Sequence, residues 1–363
     1  MAYLAECIKA CYVSSQSCMT TPLLQQTVCG IYCERGDFYI DPVYQVERAI
    51  ITHAHGDHAR PGMGAYLTSS EGIGVLRSRL PTAARISGIP FGETRLFNDV
   101  SVSLHPAGHI LGSAQVRVEH RGEVWVVSGD YKTEPDPTCS QFEPLKCHTF
   151  ITESTFGLPI FVWRPQEELF QEIDQWWANN QEQKKASILL AYSLGKAQRV
   201  LAGLPNSERG KIFVHKTVAR CNEAYLEQGI VLPETHLASD DFVNVPVVDR
   251  RRALIVAPPQ VLKASWLKRF GKLSIAFCSG WMLLESERKK RRVQHGFPLS
   301  DHVDWNSLLE TIKATEAERV GVMHGYVSEV VRYLKGEGKD AFSFEHDRSA
   351  RASPQLDFSG IWS

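Results

Sequence analysis

Thr52-His53-Ala54-His55-Gly56-Asp57-His58 puts three imidazoles and a carboxylate within six residues, directly after the apolar run Ala49 to Thr52. Imidazole nitrogens and carboxylate oxygens are first-choice ligands for Zn²⁺ or Mn²⁺, and a loop so dense in them is costly unless a cation organises it. The close spacing on a turn lets alternate side chains face two neighbouring cation positions. Two weaker features point to a polyanion. Tyr192-Ser193-Leu194-Gly195-Lys196 follows another apolar run and opens a predicted helix carrying Lys196 and Arg199, and a helix N-terminus can take a phosphate. It lacks the GxxxxGK spacing of a nucleotide-binding loop. The run Arg288-Lys289-Lys290-Arg291-Arg292 ends ten residues before His302, so substrate contact competes there with an ordinary solvated face.

The elements that must position these residues are legible as short β-type runs, each ending at a polar or glycine-containing turn: 49–52, 124–128, 150–152, 188–191, 212–214, 253–257, 273–277 and 319–323. Between several of them lie helical patterns. Leu169, Phe170, Ile173, Trp176 and Trp177 form one, and Trp305, Leu308, Leu309 and Ile312 another. Such alternation indicates a layered α/β protein.

At 363 residues, with 43% hydrophobic and 22% charged side chains, the chain has ample material for one large or two ordinary domains, and its composition excludes a mostly disordered or collagen-like protein. Its apolar runs fall far short of the roughly 18 residues of a membrane span. The net charge of −1 hides a division: residues 158–295 hold 21 Lys+Arg against 14 Asp+Glu, and the rest 19 against 27. A basic middle suits a polyanion, and acidic flanks rich in His and Asp suit cations. Nine cysteines without a CxxC pair argue against a disulfide framework and against a zinc knuckle, which makes a reducing cytoplasm the expected setting. Residues 1–18 make a poor secretory signal and read as a disordered extension, or as sequence upstream of a start at Met19.

The HxHxDH pattern after a strand resembles the metallo-β-lactamase superfamily. Gly108-His109-Ile110-Leu111-Gly112-Ser113 resembles its next histidine motif, and Ser128-Gly129-Asp130 the aspartate that bridges two metals. Thr152-Glu153-Ser154-Thr155-Phe156-Gly157, Ser300-Asp301-His302 and His324-Gly325 resemble the three motifs of the β-CASP nuclease branch. The chain is most similar there to bacterial ligase-associated DNA exonucleases, through Gly36-Asp37-Phe38-Tyr39-Ile40-Asp41-Pro42, residues 53–61, Tyr192 to Gln198 and Phe297 to His302. The resemblance implies an αββα sandwich built from residues 19–157 and 296–363, with an α/β cap inserted at 158–295.

It also implies two divalent cations, Zn²⁺ first and Mn²⁺ second. His53, His55 and His109 would hold one, Asp57, His58 and His324 the other, and Asp130 both. Together the cations would generate a hydroxide and clamp phosphate oxygens, with Asp57, Glu153 and His302 acting in the chemical step: His302 would protonate the leaving oxygen and Glu153 would orient His302. Ser193, Lys196, Arg199 and residues 288–292 would contact the nucleic acid. The implied activity is a 5′ to 3′ exonuclease on single-stranded DNA in repair, associated with an ATP-dependent DNA ligase and a helicase. An RNA-processing nuclease remains open, because RNA-directed members usually carry a histidine where His324 stands. A non-nuclease metallo-hydrolase and an inactive scaffold are further alternatives. The seven other histidines (105, 120, 148, 215, 236, 295 and 346) are expected to be structural or surface residues, His105 being the easiest to mistake for a ligand.

Overall fold

The computed structural model describes residues 21–205, 209–238 and 245–345; the extension at 1–18, His346 and the tail beyond it lie outside them. All eight runs read from the sequence are strands, with no end shifted by more than two residues.

The first sheet runs β1 (Gln25–Thr27), β2 (Gly30–Cys33), β3 (Phe38–Ile40), β4 (Arg48–Ile50), β5 (Ala65–Ser69) and β6 (Ile86–Ile89) in spatial order. The second collects β7 (Thr94–Phe97), β8 (Val100–Pro106), β9 (Ala114–His120), β10 (Glu123–Val127), β11 (Thr149–Ser154), β18 (Arg319–Gly325) and β19 (Asp340–Ser343), ordered β19-β18-β11-β10-β9-β8-β7. These two sheets face each other across an apolar layer that includes Phe38, Ile40, Ile50, Val102, Val116, Trp125 and Ile151. Outside the first sheet lies α1 (Ile73–Arg79), burying Val75 and Leu76. Outside the second lie α7 (Trp305–Ala314) and α8 (Val327–Gly336), burying Leu308, Ile312, Val330 and Leu334. Covered on both faces, β11 is buried at all six positions, which is why Thr149 to Ser154 shows no polar alternation. This is the expected αββα sandwich.

The third sheet is wholly parallel, in the order β14 (His236–Leu237), β13 (Ile212–Val214), β15 (Leu254–Ala257), β12 (Ala186–Leu190), β16 (Leu273–Cys278), β17 (His295–Phe297). Helices α2 (Gln166–Glu182), α3 (Lys196–Gly203) and α4 (Lys216–Glu227) pack on one face; α5 (Val247–Arg250) and two 3₁₀ turns accompany the other; α6 (Glu285–Arg291) precedes β17. No helix among the described residues is long and apolar enough to cross a membrane, and the six described cysteines are free thiols.

Parallel strands send their carboxyl ends to one side, where ligands of open α/β sheets gather. The His53–His58 loop follows β4, Asp130 follows β10, Glu153 ends β11 and His324 ends β18.

Candidate metal centre

Three imidazoles meet with their lone pairs facing each other. His55 Nε2 donates to the Leu194 carbonyl at 3.1 Å, which leaves Nδ1 of the neutral ring bare. His109 Nδ1 donates to the Asp301 carbonyl at 2.8 Å, so its Nε2 is bare. Thr52 Oγ1 gives its proton to Asp41 Oδ2 at 2.5 Å and accepts from His53 Nδ1 at 3.1 Å, baring His53 Nε2. These atoms converge: His55 Nδ1 is 3.0 Å from both His53 Nε2 and His109 Nε2. Burial pushes all three rings toward the neutral form, His109 down to about 3. Facing lone pairs repel unless a cation accepts them, so this donor set fits a divalent ion. Asp130 completes it, one ligand atom from each of the four lying within 4.8 Å of the others.

The Asp130 carboxylate is the hub. Its Oδ2 is 3.6 Å from His53 Nε2, 3.5 Å from His58 Nε2, 3.8 Å from His109 Nε2 and 4.0 Å from His302 Nδ1. Burial would raise its pKa, but His58 and His302 hold it well below the carboxylate range. Gly129 makes the approach possible: its φ is +58°, and a Cβ there would sit 2.8 Å from Thr52 Cβ.

The second cation position is more open. His58 Nδ1 donates to Asp41 Oδ2 at 2.7 Å, aiming Nε2 at Asp130 and, at 3.8 Å, at Asp57 Oδ2. Burial would strip the His58 proton, yet Asp130, Asp57 and Asp41 hold its pKa well above the usual value. The ring of His324 lies 5.8 Å from that of His58, on an exposed residue with φ +57°. The structure thus brings all seven expected ligands to one locus, tightly for His53, His55, His109 and Asp130, loosely for Asp57 and His324. His105 is elsewhere, bonded to Ser103.

Beside the cluster, His302 Nδ1 meets both oxygens of buried Glu153, at 2.9 and 3.0 Å. Burial would lower the His302 pKa, but Glu153 and then Asp130 push it up to about 9. The Tyr131 amide donates to Glu153 Oε1 at 2.8 Å and holds the carboxylate in place.

No family model matches the chain. Over 332 residues, 90% of its length, it is 28% identical to a probable DNA ligase of Opitutus terrae, of which it covers 32%. It is 26% identical over 148 residues to the endoribonuclease ysh-1 of Neurospora crassa, and 31% identical over 129 residues to the transcription termination factor FttA of Pyrococcus horikoshii. Those matches take in 40% and 33% of this chain, and 17% and 19% of the relatives. These likenesses are consistent with a metallo-β-lactamase/β-CASP nuclease family. The chain spans a third or less of these curated relatives. In fold it is similar to a protein of unknown function from Enterococcus faecalis, at a TM-score of 0.54 and 12% identity, with 80% of this chain and 77% of that one covered.

Two of the expected nucleic-acid contacts have another role. Lys196 and Arg199 are buried, and both bind Asp301 Oδ1, at 2.8 and 3.1 Å. Lys196 Nζ also donates to the Leu299 carbonyl at 2.7 Å, and Arg199 Nε lies 3.2 Å from Asp136 Oδ2. With their charges neutralised inside the protein, they tie α3 to the 299–302 loop instead of meeting a phosphate. That loop supplies the carbonyl on His109 and carries His302. Ser193 lies near the surface, its Oγ 2.7 Å from Thr217 Oγ1. Gly195, with φ +85°, brings the same turn against the metal loop, since a Cβ would meet Ile110 Cγ2 at 2.2 Å. Of the basic run on and after α6, Arg288, Lys289, Lys290 and Arg292 are exposed, while Arg291 lies over the Phe277 ring at 4.7 Å.

Asp41, not among the expected site residues, orients both Thr52 and His58, so Asp41→Ala is expected to weaken metal affinity about 10- to 100-fold, the usual effect of losing a group that orients a ligand. Competition with a chelator checks it; an unchanged midpoint would leave Asp41 a purely structural residue.

Proposed function

We propose that this chain is a metal-dependent nuclease that degrades single-stranded DNA stepwise from its 5′ end in repair. The observation that carries the hydrolytic reading is the convergence of bare imidazole nitrogens on Asp130, beside His302 held by Glu153. His53, His55, His109 and Asp130 would hold one divalent cation, and Asp57, His58, His324 and Asp130 a second. Bound there, the pair would acidify water and neutralise charge gathering on the phosphate. Zn²⁺ suits the nitrogen-rich donor set, with Mn²⁺ next.

The chain's own groups supply the rest. His302 carries a proton near neutral pH and gives it to the departing 3′ oxygen; Glu153 keeps the ring aimed and steadies its charge. The products are then 5′-phosphates and 3′-hydroxyl ends. The third sheet and its helices, residues 158–295, would act as a cap that admits one backbone more easily than a stacked duplex.

The extended likeness to a probable DNA ligase supports DNA as substrate and a ligase as functional partner, a helicase being a further candidate. His324, and the likeness to an endoribonuclease, favour an RNA-directed reading instead. The test is a side-by-side digestion of end-labelled linear DNA, circular single-stranded DNA and RNA of the same sequence, with Zn²⁺, Mn²⁺ or Mg²⁺. Linear DNA is expected to be shortened from the 5′ end and the circle spared. Efficient opening of the circle overturns the exonuclease reading, and a strong preference for RNA overturns DNA independently.

A further inference from the structure

Between His302 and the basic run of α6 lies a group of rings that the hydrolytic chemistry does not use. Phe156 packs 5.9 Å from His302, and 4.8 Å from both Trp163 and Trp281, centroid to centroid. Phe161 is 4.9 Å from Phe156 and also carries Trp281 at 5.7 Å and Tyr326 at 5.9 Å. The two phenyl rings are buried, whereas Trp163, Trp281 and Tyr326 are only half-buried. The indoles and the phenol therefore rest on an apolar floor and keep part of their surface toward solvent. They come from three places: the segment after β11, the 3₁₀ turn Gly280–Leu283 after β16, and the residue capping α8, two positions past His324. Ile160 and Val162, either side of Phe161 in the chain, are 59% and 43% exposed.

Charge defines the ligand class. Trp281 stands just before α6, and the stretch 285–292 carries five cations against two carboxylates. Flat apolar rings beside clustered cations fit a chain that alternates planar bases with phosphates. Only an unpaired strand offers its base faces for stacking, because a duplex has already stacked them on one another. Because their floor, Phe156, adjoins the His302 ring, the rings can hold the base of a nucleotide within reach of the bond being cut.

We infer that Trp281, with Tyr326 and Trp163 beside it, forms a stacking subsite for an unpaired nucleobase of the substrate strand. The inference rests on the nuclease reading above and adds how the strand end is gripped. It is tested by measuring binding, to the metal-loaded protein, of a short labelled single-stranded DNA with cleavage-resistant phosphorothioate linkages and of a series in which one nucleotide at a time is abasic. In the unmodified protein, one abasic position is expected to weaken binding about 5- to 150-fold, the range of a single base–aromatic stack. Trp281→Ala should weaken the intact strand by a similar factor and abolish the penalty at that position; Trp281→Phe, which keeps a ring face, should retain much of it. Metal content measured on each variant reports that the centre is still assembled. A flat abasic series in a protein that cuts the same strand with ordinary linkages overturns the subsite alone, as does a penalty that persists in Trp281→Ala with its metals in place. If the unmodified protein neither binds the strand nor cuts its ordinary counterpart, the nuclease reading falls, and the subsite with it.

Discussion

Asp130→Ala is expected to lose metal from both proposed positions. The unmodified protein is expected to carry about two transition-metal ions per chain. The variant should fall well below that, because Asp130 Oδ2 lies within 3.5 to 3.8 Å of nitrogens belonging to His53, His58 and His109, which together would serve both proposed cations. Neither Asp57 nor Glu153 can replace it without moving: Asp57 is exposed and lies on the His58 side, and Glu153 is already engaged with His302 and the Tyr131 amide. Losing several kcal/mol of charge stabilisation on the phosphate corresponds to a rate loss of about 10³-fold or more, since each 1.36 kcal/mol is tenfold. Elemental analysis of the purified variant is the direct check. An unchanged metal content removes Asp130 from the bridging position, whatever happens to the rate.

The metal loop is legible from one sequence because its ligands are neighbours: a strand ends, and the next turn spends four of its seven positions on His and Asp. His109, Asp130 and His324 are legible only through motif resemblance, each being an ordinary turn residue when taken alone. What stays hidden is whatever holds the ligands. Lys196 and Arg199 look like surface cations because such side chains are almost never buried unpaired, and their partner Asp301 lies about a hundred positions further along the chain. That pairing exists only once α3 has docked on the 299–302 loop. The carbonyls of Leu194 and Asp301, which set two imidazole tautomers, are invisible to any reading of side-chain type. The same division holds in the fold. Strands covered on both faces, such as Ala186 to Leu190, declare themselves as continuous apolar runs. Edge strands such as Thr94 to Phe97, with three exposed positions of four, carry too little apolar pattern to stand out.

His302 separates proton donation from metal binding, and its removal should do the same. Its ring lies 4.8 Å from that of His109, but His302 is not among the four residues whose ligand atoms converge there, and its Nδ1 is taken by both oxygens of Glu153, which orients the ring. His302→Ala is therefore expected to cut turnover by about 10²- to 10⁴-fold, the usual worth of a general acid, with metal content nearly unchanged. The pH dependence gives a sharper readout. A pKa raised to about 9 means the donor proton is present at neutral pH and is lost as pH rises through that value, so activity falls on the alkaline side. Glu153→Gln removes the largest of the influences that raise it and leaves burial, which lowers it, less opposed. The alkaline fall should then move to lower pH in Glu153→Gln and disappear in His302→Ala, where a weak residual rate has no imidazole left to titrate. An alkaline limb that stays in place in both variants would assign the proton to another group, and loss of metal from His302→Ala would make His302 a ligand, with Glu153 and Asp130 as its partners in the second group of converging donors.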